Sequence, residues 1–240
     1  MNGTSLAAYV LAGGRSSRMG RDKALLPLAG RPLIEHAVSK LRRLTPNVSI
    51  LGSRPELASF APLVPDLRES CGPLGGMEAA LTHTSQEWTM IVPVDMPFLP
   101  AALLRRWAGG VLRQQGARAG IFIVDEVPQP TLCLLHREML PLLSAAATQG
   151  RYKLYPAIEE AARTLAHRRS VMLEEVFLRH PWTQEDALSL FEELGGDGWE
   201  GDRESILTPA QRAASHLWFE NLNTPEEFAE ALQHLDALDG

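Results

Sequence analysis

An apolar run of seven residues, LAAYVLA at 6–12, stops at the glycine pair Gly13-Gly14, and a helical pattern begins at Leu33. Short buried strands followed by amphipathic helices recur along the chain, and this alternation limits the fold more than any other feature. Leu33, Ile34, Ala37, Val38, Leu41 and Leu44 share one helical face, with Pro32 suited to the first turn. Val48–Leu51 reads as the next strand, and 72–81 as a glycine-rich turn running into a short helix. A third strand covers 89–94, with Asp95 just past its end, and a helix covers 100–111. Ala119–Val124 and 131–136 read as strands, and 137–148 and 152–167 as helices. This order predicts a three-layer α/β/α fold around a mainly parallel sheet. Ligands of such sheets bind at the carboxyl ends of the strands, where Gly13, Gly14 and Asp95 fall.

The chain has 240 residues, long enough for a full hydrophobic core. Its net charge of -6 excludes a molecule built as a whole to grip nucleic acid or an anionic membrane. The charge is uneven, however. Residues 1–54 hold nine Lys/Arg against two Asp/Glu, whereas 174–240 hold three Arg against sixteen acidic residues. The first third is therefore where an anionic ligand is expected. Cys71 and Cys133 form no CxxC pair and read as free buried thiols, which suits a reducing compartment. MNGTSLAAYVLAGG lacks the basic start of a signal peptide, and no run is long enough to span a bilayer, so a cytoplasmic location is expected.

The segment VLAGGRSSRMGRDKALL places Arg15, Arg18, Arg21 and Lys23 directly after the glycine pair. It is not GxxxxGK[ST], because Gly14 and Gly20 are six apart and Arg21 follows, and it is not GxGxxG, because the glycines are adjacent. Glycines at a strand end still let backbone N–H groups turn inward around an anion. On composition alone, a phosphate cradle and a basic surface loop both remain open.

The residues themselves carry more. LAGGRSSRMGRDKALLPLAGRPLIEHA from Leu11 resembles the N-terminal signature of the MobA-like nucleotidyltransferases, loosely LAGGxSxRMGxDKxLLxxxGxPLI. Four further segments follow in the family's order: GPLGGM at 72–77, PVDMPFLP at 93–100, PTL at 130–132 with Arg137, and NLNTPEE at 221–227. The resemblance implies a Rossmann-like nucleotidyltransferase fold, glycosyltransferase-A-like, in one domain over 1–240. Within the family it points to the branch that transfers GMP from GTP to the terminal phosphate of molybdopterin, with Mg²⁺. CMP transfer to molybdopterin, or NMP transfer to a sugar or polyol phosphate, are the alternatives of the same fold. A catalytically inactive nucleotide-binding adaptor is the non-enzyme alternative.

Carried over position by position, the resemblance implies that Leu11, Ala12, Gly13 and Gly14 line the nucleotide pocket and that Lys23 meets the phosphates. Asp66, at the end of LVPD, matches a carboxylate that helps bind nucleotide, and Asp95 matches the Mg²⁺ ligand. Asn221 and Asn223 match two active-site asparagines. The family's asparagine after the second strand is missing: the stretch reads ILGSR, with Leu51 or Ser53 near that place. Gly13, where related CTP users carry alanine, leaves room for a purine. The chemistry agrees, because a phosphate nucleophile and a triphosphate repel one another. Cations at Lys23, Arg18 and Arg15 would offset that repulsion, and no general base is needed.

Each residue also has a plain reading. Asp95 could cap a turn and Asn223 could lead into a cap at Thr224. His36 reads as a surface residue, and Trp182, Trp199 and Trp218 as core or interface residues. Residues 168–217 have no counterpart in the family's pattern. They read as a structural elaboration, a lid, a dimerisation element, or a docking surface for a molybdoenzyme or cofactor-delivery protein. Within and after them, Thr183 to Asp186 reads as a capping box opening a helix to Leu194, and GGDGWEGD as an acidic turn. Thr208-Pro209 and Thr224-Pro225 each read as a helix start, the last helix running to about Leu238.

Overall fold

The computed structural model describes residues 6–12, 22–183 and 207–239. Strand β1 (Leu6–Leu11) lies inside a seven-stranded sheet, third from one edge. On one side it pairs in parallel with β4 (Val48–Leu51), which pairs in parallel with β5 (Leu63–Val64). On the other side it pairs in parallel with β6 (Trp88–Pro93). Beyond β6 come β8 (Val127–His136), antiparallel to it, then β7 (Ala119–Val124) and β9 (Phe177–Trp182) at the edge. Two short strands, β2 (Pro27–Leu28) and β3 (Arg31–Pro32), form a separate hairpin. Four of the six pairings in the large sheet are parallel, as the alternation of elements predicts.

Both faces of the sheet are covered, and the strands show why. In β1 and the residue after it, Leu6, Ala8, Val10 and Ala12 face one core, while Ala7 and Tyr9 face the other. In β8, Leu132 and Leu134 face the first core, and Cys133 and Leu135 the second. Strands buried on both faces read as near-continuous apolar runs, the pattern of a helix-covered parallel sheet. The first face is packed by α1 (Leu33–Arg42), α3 (Ala101–Arg113) and the segment after residue 207. The second is packed by α2 (Gly72–His83), α4 (Leu140–Thr148) and α5 (Leu154–Arg169).

Several expectations change. The glycine-rich stretch at 72–81 is not a turn before a helix; α2 begins at Gly72 itself, whose φ of +57° makes the entry. Strand β9 was not expected. It is short and carries Arg179, His180 and Pro181, yet it pairs with β7 from Ala119–Phe177 to Val124–Trp182. Proline in a strand belongs at a sheet edge, which is where β9 lies. Residues 168–217 thus contribute a strand to the sheet. The last helix stops at Ala231, because the next amides bond back three residues: Gln233 N–H to the Glu230 carbonyl and His234 N–H to the Ala231 carbonyl. His36 is not a surface residue. It is 4% exposed, and its Nε2 lies 2.8 Å from the Leu28 carbonyl, while burial holds its pKa below the usual value. Trp182 and Trp218 are core residues, and Cys71 and Cys133 are free and buried. The capping box read from Thr183 continues past the described residues at 184–186, and the acidic turn and Trp199 lie outside them.

Candidate active site at the strand ends

The carboxyl ends of β5, β4, β1 and β6 line up along one rim of the sheet. Leu11 and Ala12 stand at the end of β1, and the Leu11 carbonyl accepts a bond from Val94 N–H at 3.2 Å. This ties the end of β1 to the end of β6, immediately before Asp95. Gly13, Gly14, Arg15 and Arg18 lie outside the described residues.

The chain re-enters at Asp22, whose carboxylate accepts a bond from Ala24 N–H at 3.0 Å and caps a single 3-10 turn, Lys23–Leu25. That cap aims the Lys23 side chain across the rim. Its ammonium donates to Asp95 Oδ2 at 2.7 Å and to Asn223 Oδ1 at 2.6 Å. The Lys23 and Asp95 side chains are 13% and 19% exposed, so the pair is partly screened from water yet open to a ligand. Three segments separated by 72 and 200 residues therefore meet at one nitrogen. Asn223 is set by its own helix start. Thr224 caps Pro225–Ala231, and Glu227 completes the box by accepting from the amides of both Asn223 and Thr224. Asn223 Nδ2 donates to the Asn221 carbonyl at 3.1 Å, and Leu222 N–H donates to the Asp95 carbonyl at 2.9 Å. The asparagine segment is thus bonded to the β6 end through its backbone as well as through Lys23.

Among the described residues Asp66 makes no hydrogen bond to this cluster, and it belongs to the β5 end of the rim. It lies against the first turn of α2. A Cβ added at Gly76 would sit 3.7 Å from Asp66 Oδ1, 3.3 Å from Leu11 Cδ1 and 3.4 Å from Leu51 Cδ1. Glycine there lets the helix approach three strand ends closely. Partial desolvation raises the Asp66 pKa. The loop beyond it is fastened by Arg68, which makes a two-pronged pair with Glu78 of α2, Nε to Oε2 at 2.9 Å and Nη2 to Oε1 at 3.2 Å. Of the two positions nearest the missing asparagine, Leu51 is buried in the apolar core and Ser53 is exposed. The residue after Ser53 does take part: Arg54 donates to the Ala12 carbonyl and pairs with Asp22, joining the described residues on either side of the glycine loop.

Arg54 and Lys40 were not singled out from the sequence. Arg54 was only one of the nine basic residues of the first third. Lys40 lies on the buried face of α1, seven residues after Leu33 and three after Ala37, and that placement was the available signal. Nor is the basic excess of the first third all aimed at the rim. Lys40 is buried, Arg42 donates to the Phe60 carbonyl, and Arg43 pairs with Asp239.

The family model described as the MobA-like NTP transferase domain matches residues 8–168. The chain belongs to the MobA-like NTP transferase family. Among its relatives, a molybdenum cofactor guanylyltransferase of Serratia proteamaculans (strain 568) is 33% identical over 196 residues, which are 79% of this chain and 96% of the relative. One of Xanthomonas euvesicatoria pv. vesicatoria (strain 85-10) is 44% identical over 148 residues, 59% of this chain and 72% of the relative. The fold also matches the crystal structure of molybdopterin-guanine dinucleotide biosynthesis protein A from Archaeoglobus fulgidus, with a TM-score of 0.66 over 95% of this chain and 97% of that one, at 22% identity. Like those nucleotidyltransferases, this family member is an α/β enzyme. Among the described residues no helix is long and apolar enough to cross a membrane.

Proposed function

We infer that this enzyme transfers GMP from GTP to the terminal phosphate of molybdopterin, releasing pyrophosphate and forming the guanine dinucleotide cofactor. The observation that carries the reading is the convergence of Asp95 and Asn223 on the Lys23 ammonium at the strand ends of a MobA-like chain. The names of the relatives supply the donor and the acceptor. In the reaction an oxygen of the acceptor phosphate bonds to the α-phosphorus of GTP, and the bond to the bridging oxygen breaks, leaving pyrophosphate. The nucleophile is already ionised at neutral pH, so the protein must supply charge and position rather than a base.

The donor set suits Mg²⁺. A carboxylate oxygen and an amide oxygen already converge on one cationic nitrogen, and both are hard ligands. Among the described residues no three His, Cys, Asp or Glu side chains cluster as a closed metal cage. A site of one carboxylate completed by water and phosphate oxygens is the usual arrangement for Mg²⁺ in phosphoryl transfer. Asp95, with Asn223, would hold the ion, which when bound neutralises phosphate charge. Lys23 and Arg18 would stabilise the charge on the transferring and departing phosphates, with Arg15 and Asn221 in support. Leu11, Ala12, Gly13, Gly14 and Asp66 would line the nucleotide pocket, and the absent methyl at Gly13 favours guanine. The buried free thiols suit a reducing cytoplasm.

Pyrophosphate release with Mg²⁺, each nucleoside triphosphate and a molybdopterin-bearing acceptor tests the reading. Release with GTP is expected; its absence overturns the proposal, and release with CTP alone makes the enzyme a cytidylyltransferase. Lys23→Ala and Asp95→Ala should each lower kcat by about 10²–10³, the usual scale for removing one group that stabilises transition-state charge.

A further inference from the structure

Lys40 projects from α1 into the first core and is 1% exposed, a position that lysine almost never takes without polar partners. Its partners are two backbone carbonyls in succession. The ammonium donates to Met96 at 3.0 Å and to Pro97 at 2.8 Å. These are the two residues that follow Asp95, at the point where the chain leaves β6 and turns towards α3. The Asp95 carbonyl in turn accepts from Leu222 N–H at 2.9 Å, beside Asn223. At the far end of the same turn, Ala101 N–H donates to Asp239 Oδ2 at 3.0 Å. The Asp239 carboxylate also favours the charged form of Lys40, and its Oδ1 accepts from Gln211 Nε2 at 2.9 Å. The turn carrying Asp95 is thus held from below by a buried cation and from the side by the C-terminal segment.

We propose that Lys40 is a positioning residue for the transfer reaction, fixing the backbone after Asp95 so that the Asp95 carboxylate and Asn223 amide stay in register with Lys23. A hydrophobic side chain of similar length would fill the same space without holding either carbonyl. The Asp95 carboxylate would then wander relative to the Lys23 ammonium, to which Asn223 is also bonded. The inference rests on the reading of Asp95 as the metal and phosphate carboxylate. Groups that orient a metal ligand typically change metal affinity or activity by about 10–100-fold when removed.

The test uses the full chain, with Lys40→Met compared against Ala162→Leu, a change in α5 within the core on the opposite face of the sheet. Thermal unfolding of both variants gives the loss of stability for which kinetics must be compared. Calorimetric titration with GTP, with and without Mg²⁺, then separates positioning from folding. The wild type is expected to bind GTP more tightly with Mg²⁺. Lys40→Met is expected to lose most of that enhancement, about tenfold, and to lose kcat in the same proportion, with metal-free GTP affinity little changed. Ala162→Leu is expected to keep both. If Lys40→Met keeps the Mg²⁺ enhancement and kcat, or loses no more than Ala162→Leu does, Lys40 only fills space and the inference is wrong. A wild type that neither releases pyrophosphate from GTP nor binds it more tightly with Mg²⁺ overturns the functional reading, and this inference with it.

Discussion

The two faces of the sheet are built on different principles. The face covered by α2, α4 and α5 is closed by small residues: Ala157, Ala161, Ala162 and Ala166 of α5 and Ala146 and Ala147 of α4 are all buried there. Its helices lie within residues 8–168, apart from the last residue of α5. The face covered by α1, α3 and the segment after 207 is closed by large rings, Trp107, Phe122, Trp182, Trp218 and Phe219, packed edge-on or tilted with centroids 4.6–6.1 Å apart. It also carries buried polar groups, Lys40, His36 and Gln211. The difference teaches where the site gets its shape. The small-residue face lets helices lie close to the sheet, while the ring-rich face brings the C-terminal segment, with Asn223, back to the strand ends.

The comparison breaks first at Trp218. Its ring is fully buried and its indole N–H donates to the Gln211 carbonyl at 3.0 Å. Trp218→Ala should cost about 3–5 kcal/mol in urea unfolding, from the cavity and the lost donor together. Less than about 1 kcal/mol would mean that the C-terminal segment is an accessory to the fold rather than part of it. On the other face the converse change applies. Ala162 is fully buried, and Ala162→Leu should cost about 1–3 kcal/mol through overpacking, with pyrophosphate release unchanged. A neutral substitution would show that the face has slack and that its small residues are not there for close approach.

The polar groups of the ring-rich face give a pH signature. Burial lowers the Lys40 pKa from 10.5 to about 8, with Asp239 opposing and Arg43 adding to the shift. The unfolded chain therefore holds this proton to higher pH than the folded one. Between about 8 and 10.5 the unfolded state binds more protons, so stability from this group rises with pH, by up to roughly 1 kcal/mol per unit. Below that window the penalty of burying the charge is fully present and constant. Lys40→Met has nothing to titrate there. Denaturant midpoints of the two proteins, measured from pH 7 to 10, should separate in favour of the wild type as pH rises; parallel curves would mean that the buried ammonium carries no such penalty.

The strand–helix alternation made the sheet legible, because apolar runs ended by glycine or aspartate mark strand ends whatever surrounds them. Lys23, Asp95 and Asn223 were legible as separate motifs, but their meeting at one nitrogen was not, since it depends on pairings between strands distant in sequence. Lys40 and Arg54 were hidden for another reason: a lysine or arginine in a basic segment looks like solvent-facing charge unless its helical face or its strand end is known. Strand β9 was hidden because edge position excuses the polar residues and the proline that argue against a strand. His36 misled for the same reason as Lys40, a polar residue on a face that the periodicity already marks as buried.

The smallest expected effect is the sharpest on how the C-terminal segment serves the site. Thr224 Oγ1 accepts from Glu227 N–H at 3.2 Å, and the Glu227 carboxylate accepts from Thr224 N–H at 2.8 Å and from the Asn223 amide. Thr224→Ala removes one half of this box and should cost about 1 kcal/mol of stability. The helix of Pro225–Ala231 has only seven residues, too short to hold its first turn without a cap. Loosening that turn loosens Glu227, and with it the backbone of Asn223. If the ring-rich face positions the site, Thr224→Ala should weaken the Mg²⁺-dependent step by more than an equal loss of stability produced at Ala162. If the two variants match in kcat once matched in stability, the box serves the helix alone, and the bonds from Lys23 and Leu222 suffice to place Asn223.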